Sequence, residues 1–360
     1  MSTHARMSQM ILNQSHAMSK LRNWVEKHWY APSPGALNAL LPLEGLYRHL
    51  VKKRAQAWRQ GGRSPIHPKV PVIVVGNLNV GGSGKSPLVA SLVRLLQQAG
   101  WQPGIVSRGY GGQAPSYPLR VDAQTPVGHS GDEPLMLALQ TGVPVMVDPK
   151  RARAALALAE QGCDVIVADD GLQHWPLGRD IELLVLDAQR RAGNEHCLPV
   201  GPLREPLSRL QSVDWVIWNQ PPSEADQAWL APLTSVSVSH YQLKPLRWVN
   251  GAGEGHANCP FAAGTRVHAL AGIGFPARFF AQLEAQGLDV IPHPLADHAR
   301  MDQNTLNLAG DEPVIMTAKD RVKLLPWLNA RHWTLEVEAQ LTPEFSSAFL
   351  HRLCALRQAS

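Results

Sequence analysis

The segment from Val72 to Ser86 constrains the fold more than any other part of the chain. It reads VIVVGNLNVGGSGKS, a run of β-branched residues followed by a glycine-rich turn that ends in Gly-Lys-Ser. A buried strand followed by such a turn predicts a phosphate-binding loop, because glycines let successive backbone N–H groups curl around a phosphate. The lysine adds a positive charge and the serine hydroxyl can bind Mg²⁺. The pattern therefore predicts that the chain binds a nucleoside triphosphate.

The predicted loop departs from the G-x-x-x-x-G-K-[ST] template at one position. Its first glycine is replaced by Asn79, which tolerates left-handed dihedrals better than other non-glycine residues, so the loop remains feasible. Residues 87–99 have helical apolar spacing, and the N-terminus of that helix would point at the phosphates. The expected ATP-binding residues are Asn79, Val80, Gly81, Gly82, Ser83, Gly84, Lys85 and Ser86.

Strand-like and helix-like segments alternate from Val70 onwards, in a chain of 360 residues. This predicts an α/β fold of the P-loop NTPase type, with a mostly parallel sheet and helices on both faces. The strands predicted in the first half are Val70–Val75, Gln102–Val106, Val143–Val147, Asp164–Ala168, Ile181–Leu186 and Trp215–Trp218. Helices are predicted near 87–99, 133–141 and 151–160. A second alternating set from Arg266 to Val337 predicts a smaller C-terminal α/β domain.

The predicted domain division has five parts. A P-loop core over residues 64–220 and a smaller α/β domain over 241–340 are joined by a linker over 221–240, whose Pro-Pro-Ser start and poor periodicity indicate a junction. Residues 341–360 are expected to form a last helix, and residues 1–63 form the N-terminal part.

Residues 1–63 carry most of the positive charge. Ten Lys and Arg residues stand against two acidic ones, which gives this segment +8 and leaves −3 for the rest of the net +5. Two helical stretches, over residues 8–30 and from Leu43 to Trp58, place Leu and Trp beside these charges, which is typical of helices that lie on anionic lipid. The alternative is a pair of amphipathic helices packed on the core with their charges in solvent. No apolar stretch approaches the ~20 residues of a membrane span, and four dispersed cysteines fit a reducing cytoplasm.

Two carboxylates follow the predicted strand Asp164–Ala168. Asp169 and Asp170 would lie at its carboxyl end beside the phosphate-binding loop, where they could hold Mg²⁺ directly or through water. A helix N-cap is the alternative for an aspartate at this place. Because Lys85 and Ser86 precede them in the chain, we favour the metal interpretation.

Three further loops carry groups suited to phosphoryl transfer. Asp132 in Gly-Asp-Glu-Pro could cap the next helix or act as a general base. Arg204 lies in Gly-Pro-Leu-Arg-Glu-Pro, where prolines hold an arginine that could meet developing charge, or form only a surface ion pair. Asp297 and His298 form an acid–imidazole pair, although one histidine among fifteen is usually structural.

These motifs occur in one order along the chain, namely VGNLNVGGSGKSP, SRGYGG, GDEP, DPKRARA, ADDGLQH, GPLREP, ADH and TAKD. In this combination the chain, from about residue 35 to 340, resembles the tetraacyldisaccharide 4′-kinases of lipid A biosynthesis in Gram-negative bacteria. The resemblance implies two domains with the nucleotide between them. It also implies transfer of the ATP γ-phosphate to the 4′-hydroxyl of a tetraacylated glucosamine disaccharide 1-phosphate, giving lipid IVA.

The resemblance further implies roles for individual residues, with ATP and Mg²⁺ as cofactors. The catalytic group is Asp132 as base, His298 as its helper, Lys85 and Arg204. The metal group is Ser86, Asp169, Asp170 and Glu205. The group expected near the substrate or nucleotide is Tyr110, Arg151 and Arg153.

An acylated substrate changes the interpretation of residues 1–63. Acyl chains leave a bilayer at a cost of ~0.8 kcal/mol per CH₂, so a kinase for such a lipid is expected to work at the membrane surface. The resemblance thus favours peripheral association with the cytoplasmic face of the inner membrane, with the lipid as partner and no nucleic acid.

Two other nucleotide-binding classes fit less well. Membrane-partitioning ATPases of the deviant-Walker type place a lysine before the paired glycines, where this chain has Val80. GTP-binding regulators use N-K-x-D, and in the nearest string, Thr317-Ala318-Lys319-Asp320, the lysine is misplaced. A module that binds no nucleotide would leave the loop glycines without a purpose.

Overall fold

The computed structural model describes residue 21, residues 23–81 and residues 84–359. Most of the first predicted N-terminal helical stretch, and Gly82 and Ser83 of the predicted loop, lie outside the described residues. In the N-terminal part, residues 23–29 are helical (α1). A short 3₁₀ segment over Gly35–Leu40 then leads into α2, Leu41–Arg59.

The rest of the chain alternates strands and helices. In order these are β1 Val72–Gly76, α3 Lys85–Gln98, β2 Pro103–Ser107, β3 Leu119–Val121, α4 Val127–Ser130, α5 Asp132–Thr141, β4 Val145–Val147, α6 Arg151–Glu160, β5 Val165–Asp169, β6 Ile181–Leu186, β7 Trp215–Trp218, α7 Glu224–Leu230, β8 Ser237–Asn250, β9 Gly255–His256, β10 Arg266–Ala271, α8 Pro276–Glu284, β11 Asp289–Pro294, β12 Val314–Thr317, α9 Ala318–Leu324, β13 His332–Leu341 and α10 Pro343–Ala359. The six strands predicted for the first half are confirmed to within two residues at each end.

One sheet runs through the whole described structure, in the order β11-β10-β12-β13-β8-β7-β6-β1-β5-β2-β4-β3, with β9 beside β8. Most neighbours are parallel; the pairs β3–β4, β8–β9 and β8–β13 are antiparallel. The central strand β1 is buried along its whole length. Its alternate residues belong to different core clusters, Ile73 with α3 and Val74 with α6, so helices cover both faces. The predicted α/β class is confirmed.

Strand β8 links the two parts of the sheet. Its first residues, Ser237–His240, pair parallel with β7, and the rest, from Tyr241, pair antiparallel with β13. We call the strands up to His240 the first half of the sheet and those from Tyr241 the second half. Sequence periodicity did not indicate β8, because its buried and exposed positions alternate irregularly.

The segment 221–240, predicted as a linker, is instead structured. It contains α7, which begins at a capping box in which Ser223 accepts from the Asp226 N–H and Asp226 accepts from the Ser223 N–H. This Ser-x-x-Asp spacing is a helix-start signal that outweighed the Pro-Pro pair before it. The segment then enters β8 and the sheet. The other domain boundaries stay predictions.

Helix α10 returns to the first half of the sheet. Its Phe345, Phe349 and Leu353 are buried in the core cluster that also contains Ile73 of β1 and Leu88 of α3. The two phenylalanine rings stack on each other and meet the Trp215 ring edge-on. The predicted last helix therefore packs on the first half of the sheet.

Candidate active site

The conformation of the loop after β1 depends on two glycines and on hydrogen bonds to neighbouring loops. Gly81 and Gly84 have φ of 100° and 76°, a region that favours glycine. Asn79 does not have a positive φ, so the loop does not use the tolerance of asparagine for left-handed dihedrals. Its side chain instead donates to the Arg191 carbonyl oxygen at 2.9 Å. The peptide N–H of Val80 donates to the Pro202 carbonyl oxygen at 2.8 Å, which ties this loop to GPLREP.

Lys85 begins helix α3 at the end of this loop. Its side chain is about one-tenth exposed, and its Nζ donates to Asn77 Oδ1 at 2.9 Å and lies 3.3 Å from Asp170 Oδ1. Ser86, the next residue, is half-buried in the first turn of α3. The ammonium group therefore bridges the phosphate-binding loop and the acid pair that follows β5.

The two acids differ sharply in environment. Burial, with the nearby charges of Glu133 and Asp170, raises the pKa of Asp169 to about 7. Burial acts the same way on Asp170, but Lys85 and Arg204 outweigh it and hold the pKa of Asp170 well below its usual range. Asp170 follows the strand with a positive φ of 49° and begins no helix, which excludes the N-cap alternative.

The acid pair fits a divalent cation. Asp169 Oδ1 is buried and has no hydrogen-bond donor among the described residues, although its carboxyl is fully enclosed. An added cation would favour the ionised form of this carboxyl, which burial now disfavours. The described residues contain no ready cluster of three or more metal-binding side chains. Mg²⁺ does not need one, because it binds one or two carboxylates together with phosphate oxygens and water.

Arg204 and Glu205 lie beside the acid pair. The Arg204 backbone N–H donates to the Leu78 carbonyl oxygen at 2.7 Å, and its guanidinium donates to Asp170 Oδ2 at 2.8 Å. Gln173 joins the group, because its Nε2 donates to Glu205 Oε2 at 3.0 Å and to the Asn77 carbonyl oxygen at 3.2 Å. Gln173 was not predicted, although it belongs to the DDGLQH motif; a polar residue three places after Asp170 was the available signal.

The two arginines of α6 have different surroundings. Arg151 is buried, and its Nε lacks a partner among the described residues. Its positive charge opposes the rise in the pKa of Asp169 that burial causes. Arg153 forms an ion pair with Asp148 at 2.6 Å and is half exposed. No hydrogen bond or ion pair among the described residues joins Arg153 to another predicted site residue. The structure brings Arg151 to the site and leaves Arg153 outside it.

Asp132 and His298 meet across the two halves of the sheet. His298 Nδ1 lies 3.1 Å from Asp132 Oδ2, joining the start of α5 to the loop after β11. Asp132 is the first residue of α5 and Gly131 holds the cap position, so the N-cap alternative for Asp132 is wrong. His298 has a positive φ of 57°, which is uncommon for a residue with a side chain and occurs at functional sites. The ring of Tyr110 meets the imidazole edge-on at 5.2 Å.

The charges around this pair keep Asp132 ionised. Burial alone would raise its pKa, but the hydrogen bond with His298 and the charge of Lys319 lower it to about 2. The same hydrogen bond raises the pKa of His298, against burial and Lys319. Sequence patterns indicate no role for Lys319, because the spacing within TAKD does not match the guanine-binding signature.

Two glycines allow the SRGYGG loop and the GDEP loop to lie in close contact. A Cβ at Gly131 would lie 2.5 Å from the Tyr110 carbonyl oxygen, and one at Gly112 would lie 2.6 Å from the His129 carbonyl oxygen. The two loops therefore pack backbone against backbone. This contact fixes both Tyr110 and Asp132, the residues on either side of His298.

The acid pair and the Asp132–His298 pair border one site. Glu133, the neighbour of Asp132, is close enough for its charge to raise the pKa of Asp169. A lysine that can bind phosphates, a buried acid pair and a carboxylate–imidazole pair are thus assembled around the carboxyl ends of β1 and β5. In a parallel α/β sheet this is the edge where ligands bind.

Comparison with known proteins places this arrangement in a family. A family model described as tetraacyldisaccharide-1-P 4′-kinase matches residues 36–354. The tetraacyldisaccharide 4′-kinase of Pseudomonas putida strain F1 is 44% identical over 327 residues, covering 90% of this chain and 95% of that protein. The kinase of the same name from Azotobacter vinelandii is 45% identical over 334 residues, covering 92% and 97%.

A solved structure agrees with these relatives. LpxK from Aquifex aeolicus in complex with ATP superposes with a TM-score of 0.71 at 26% identity, covering 88% of this chain and 99% of that one. The fold, the order of the motifs and the extent of the matches point the same way. The chain belongs to the tetraacyldisaccharide 4′-kinase family.

Proposed function

We propose that the chain transfers the γ-phosphate of ATP to the 4′-hydroxyl of a tetraacylated glucosamine disaccharide 1-phosphate. The hydrogen bond between Asp132 and His298, beside the phosphate-binding loop, carries this proposal. A sugar hydroxyl is uncharged and must lose a proton as it attacks phosphorus, so the site needs a base at this place. Its relatives bear the name of this reaction, and the LpxK structure holds ATP.

The phosphate-binding loop would hold the triphosphate. Its backbone N–H groups and Lys85 provide positive charge for the β- and γ-phosphates, and the N-terminus of α3 adds its dipole. Lys85 now contacts Asn77 and Asp170, so binding of the triphosphate would exchange those contacts for phosphate oxygens. Arg204, 2.8 Å from Asp170 Oδ2, is placed to meet charge on the transferring group.

Asp169 and Asp170, with Ser86 and Glu205 nearby, would hold Mg²⁺. When bound, the ion neutralises charge on the phosphate oxygens. Asp169 supports this assignment best, because its Oδ1 lacks a partner among the described residues. Glu205 is occupied by Gln173 and lies 3.6 Å from Arg209, and its burial raises its pKa.

In the proposed step the 4′-oxygen forms a bond to the γ-phosphorus. The bond from that phosphorus to the oxygen bridging the β- and γ-phosphates breaks, and ADP leaves with this oxygen. The hydroxyl proton passes to the Asp132–His298 pair. Asp132 is the base of this pair, and the Nδ1–H of His298 donates to its Oδ2 and orients the carboxylate.

Helix α2 supports a peripheral membrane location. Leu43, Leu46 and Leu50, the leucine ridge, are each more than half exposed. The adjoining face is anchored, because the Glu44 carboxylate accepts from the Cys197 N–H at 2.8 Å and the Tyr47 hydroxyl donates to the Arg204 carbonyl oxygen at 2.9 Å. Exposed leucines beside lysines and arginines fit a bilayer with anionic lipid. We assign this surface to the cytoplasmic face of the inner membrane.

No helix among the described residues combines the length and apolar character needed to cross a membrane. The leucine ridge would therefore insert from the surface. Burial of its three side chains provides several kcal/mol, on the order of 1.5–3 kcal/mol per leucine.

Transfer of radiolabelled γ-phosphate from ATP to the lipid disaccharide tests the proposal. Controls are GTP in place of ATP and reactions without lipid. Labelled lipid formed from ATP alone supports a 4′-kinase. Absence of labelled lipid, or transfer from GTP at the same rate, would overturn the assignment of substrate or of nucleotide.

A further inference from the structure

Lys319 remains without a function in the site as described so far. It follows β12 in the Thr317-Ala318-Lys319-Asp320 segment that opens α9. Thr317 caps this helix by accepting from the Asp320 N–H, and the buried Asp320 carboxylate accepts from the Thr317 hydroxyl and the Gly272 N–H. Thr317 and Asp320 thus fix the start of α9 structurally. Lys319 has no part in that capping.

All three N–H groups of the Lys319 ammonium have an acceptor near the catalytic pair. Its Nζ lies 2.9 Å from Asp297 Oδ1, 3.3 Å from Glu133 Oε1 and 3.2 Å from His298 Nε2. These are three acceptors for three N–H hydrogens, on a side chain that is 12% exposed. Burial opposes its charge, but Glu133, Asp132 and Asp297 outweigh burial and raise its pKa, so it stays an ammonium group.

This contact decides where the imidazole carries its proton. An ammonium group can only donate, so Nε2 of His298 must accept the hydrogen bond from Lys319. In the neutral ring the proton then lies on Nδ1, which faces Asp132 Oδ2 at 3.1 Å and donates to it. The other tautomer would set two lone pairs against each other at Asp132 and two donors against each other at Lys319.

Lys319 also joins the two halves of the sheet. Glu133 belongs to α5 in the first half, whereas Asp297 and His298 belong to the loop after β11 in the second. A single cation between Glu133 and Asp297 holds the loop that carries His298 beside the start of α5, where Asp132 lies. Lys323, one turn later on α9, lies 3.6 Å from Asp132 Oδ2 and 3.3 Å from Asp320 Oδ1, and no contact among the described residues joins it to His298.

We propose that Lys319 is the positioning residue of the catalytic pair, which holds His298 as the Nδ1–H tautomer against Asp132. This role rests on the proposed function of Asp132 and His298. It predicts that loss of the Lys319 ammonium removes the donor that faces Nε2, so that the ring can take a second proton there while Nδ1–H stays on Asp132. Chemistry would slow while the phosphate-binding loop, which Lys319 does not contact, still binds ATP.

The first test is the tautomer itself, measured without turnover. The ring nitrogens of ¹⁵N-histidine-labelled protein report it, with the His298 signals assigned by their loss in His298→Ala. The wild type is expected to show protonated Nδ1 and unprotonated Nε2, and Lys319→Met at the same pH a larger share of rings protonated at both nitrogens. Lys323→Met is the matched control, which removes a lysine near Asp132 and should keep the wild-type tautomer. Unchanged ring signals in Lys319→Met would overturn the proposal.

The second test is the pH profile of kcat at saturating ATP and lipid. The charged or titratable groups that face His298 are Asp132, Asp297, Lys319, and Tyr110 through its ring, with Glu133 and Lys323 behind them. Loss of a positive charge here raises the apparent pKa of the pair, so the acidic limb of Lys319→Met should move to higher pH. We expect its kcat at the optimum to fall about 10–100-fold. Its ATP Kd should change less than about threefold.

Lys319→Arg keeps the charge and donors, and should restore the wild-type position of the acidic limb and at least about a fifth of kcat. It also serves as the second variant if Lys319→Met does not fold. A kcat in Lys319→Met within twofold of wild type, or an equal loss at every pH, would contradict the proposal. If His298→Ala kept full activity, the proposed function of the pair would fail instead, so the two failures are distinguishable.

Discussion

The Tyr241 hydroxyl donates a hydrogen bond to the Gly84 carbonyl oxygen at 2.7 Å. Tyr241 is fully buried and begins the antiparallel part of β8, whereas Gly84 ends the phosphate-binding loop. A second bond runs in the same direction, since the Ala339 N–H of β13 donates to Ser91 Oγ of α3 at 3.0 Å. The loop and its helix are therefore attached to the strands that join the two halves of the sheet.

Tyr241→Phe should weaken ATP binding. The variant keeps the ring and its packing but removes one hydrogen bond at the left-handed Gly84, at a cost of about 1 kcal/mol of unfolding free energy. Less constraint on the loop should raise the ATP Kd about 3–10-fold with a smaller change in kcat. Isothermal titration with Mg·ATP measures this. Tyr117→Phe, which removes a hydroxyl bonded to the Ala114 N–H, is the control and should bind ATP normally. Equal ATP affinity in both variants would show that the Tyr241 hydrogen bond does not position the loop.

Lys85→Met should abolish most phosphoryl transfer. The substitution removes the positive charge that lies between Asn77 and Asp170 and is placed to reach the phosphates. We expect kcat/KM for ATP to fall by roughly 10²–10³-fold, as for loss of other charge-stabilising donors. The radiolabel assay measures this, and a circular dichroism melt confirms folding. Intact lipid phosphorylation by Lys85→Met would remove the lysine from the mechanism.

Asp132→Asn should separate chemistry from nucleotide binding. The amide keeps the size of the carboxylate but cannot take the hydroxyl proton, so kcat should fall about 10²–10⁴-fold. Because Asp132 makes no hydrogen bond to the phosphate-binding loop among the described residues, the ATP Kd should stay within about threefold of wild type. Single-turnover transfer and equilibrium binding measure the two quantities. Wild-type turnover in this variant would exclude Asp132 as the base.

The stability contributed by Asp132 should depend on pH. Its folded-state pKa of about 2 lies below its ordinary 3.8, so the stabilisation is complete above pH 4 and disappears as pH falls toward 2. The difference corresponds to about 2 kcal/mol. Urea unfolding of the wild type and Asp132→Asn should therefore give a stability difference that shrinks between pH 5 and pH 2. A constant difference over that range would show that the carboxyl is not stabilised in its ionised form.

Replacing the leucine ridge should release the protein from membranes. The substitutions Leu43→Ser, Leu46→Ser and Leu50→Ser together remove exposed apolar surface without disturbing Glu44 or Tyr47. We expect co-sedimentation with vesicles containing anionic lipid to fall at least about tenfold. Activity on detergent-dispersed substrate should be retained. Leu139→Ser, at an exposed leucine of α5, is the control. Undiminished vesicle binding of the triple variant would place the membrane contact elsewhere.

Local patterns predicted most of the first half of the sheet. Strands such as β6 and β7 are short, apolar and followed by clear turn or helix signals, so their bounds agree with the sequence prediction. Strand β8 was not predicted, because its stability depends on β7 and β13, and its own sequence alternates poorly. Pairing partners distant in the chain decide such a strand.

The candidate site also contains residues that local patterns predicted and residues that they did not. Motifs indicated Lys85, Asp169 and Asp132, because each stands at the junction of a loop with a strand or a helix. Gln173 and Lys319 also belong to motifs, but their partners come from other loops and only the folded chain brings them together. The spacing of residues in sequence does not reveal that His298 and Asp132 meet, 166 positions apart.

The path of the chain through α10 bears on how the protein is made. The polypeptide leaves the first half of the sheet along β8 and returns to its core through β13, where Ala339 is buried, and through the last helix, where Phe349 contacts the Trp215 ring. The second half of the sheet is thus inserted between segments that complete the core of the first half. During translation, the apolar side chains of α3 and β1 that belong to the same core cluster as Phe349 cannot be fully buried until α10 has emerged from the ribosome. A nascent chain stalled before Pro343 would expose these apolar side chains to chaperones and proteases.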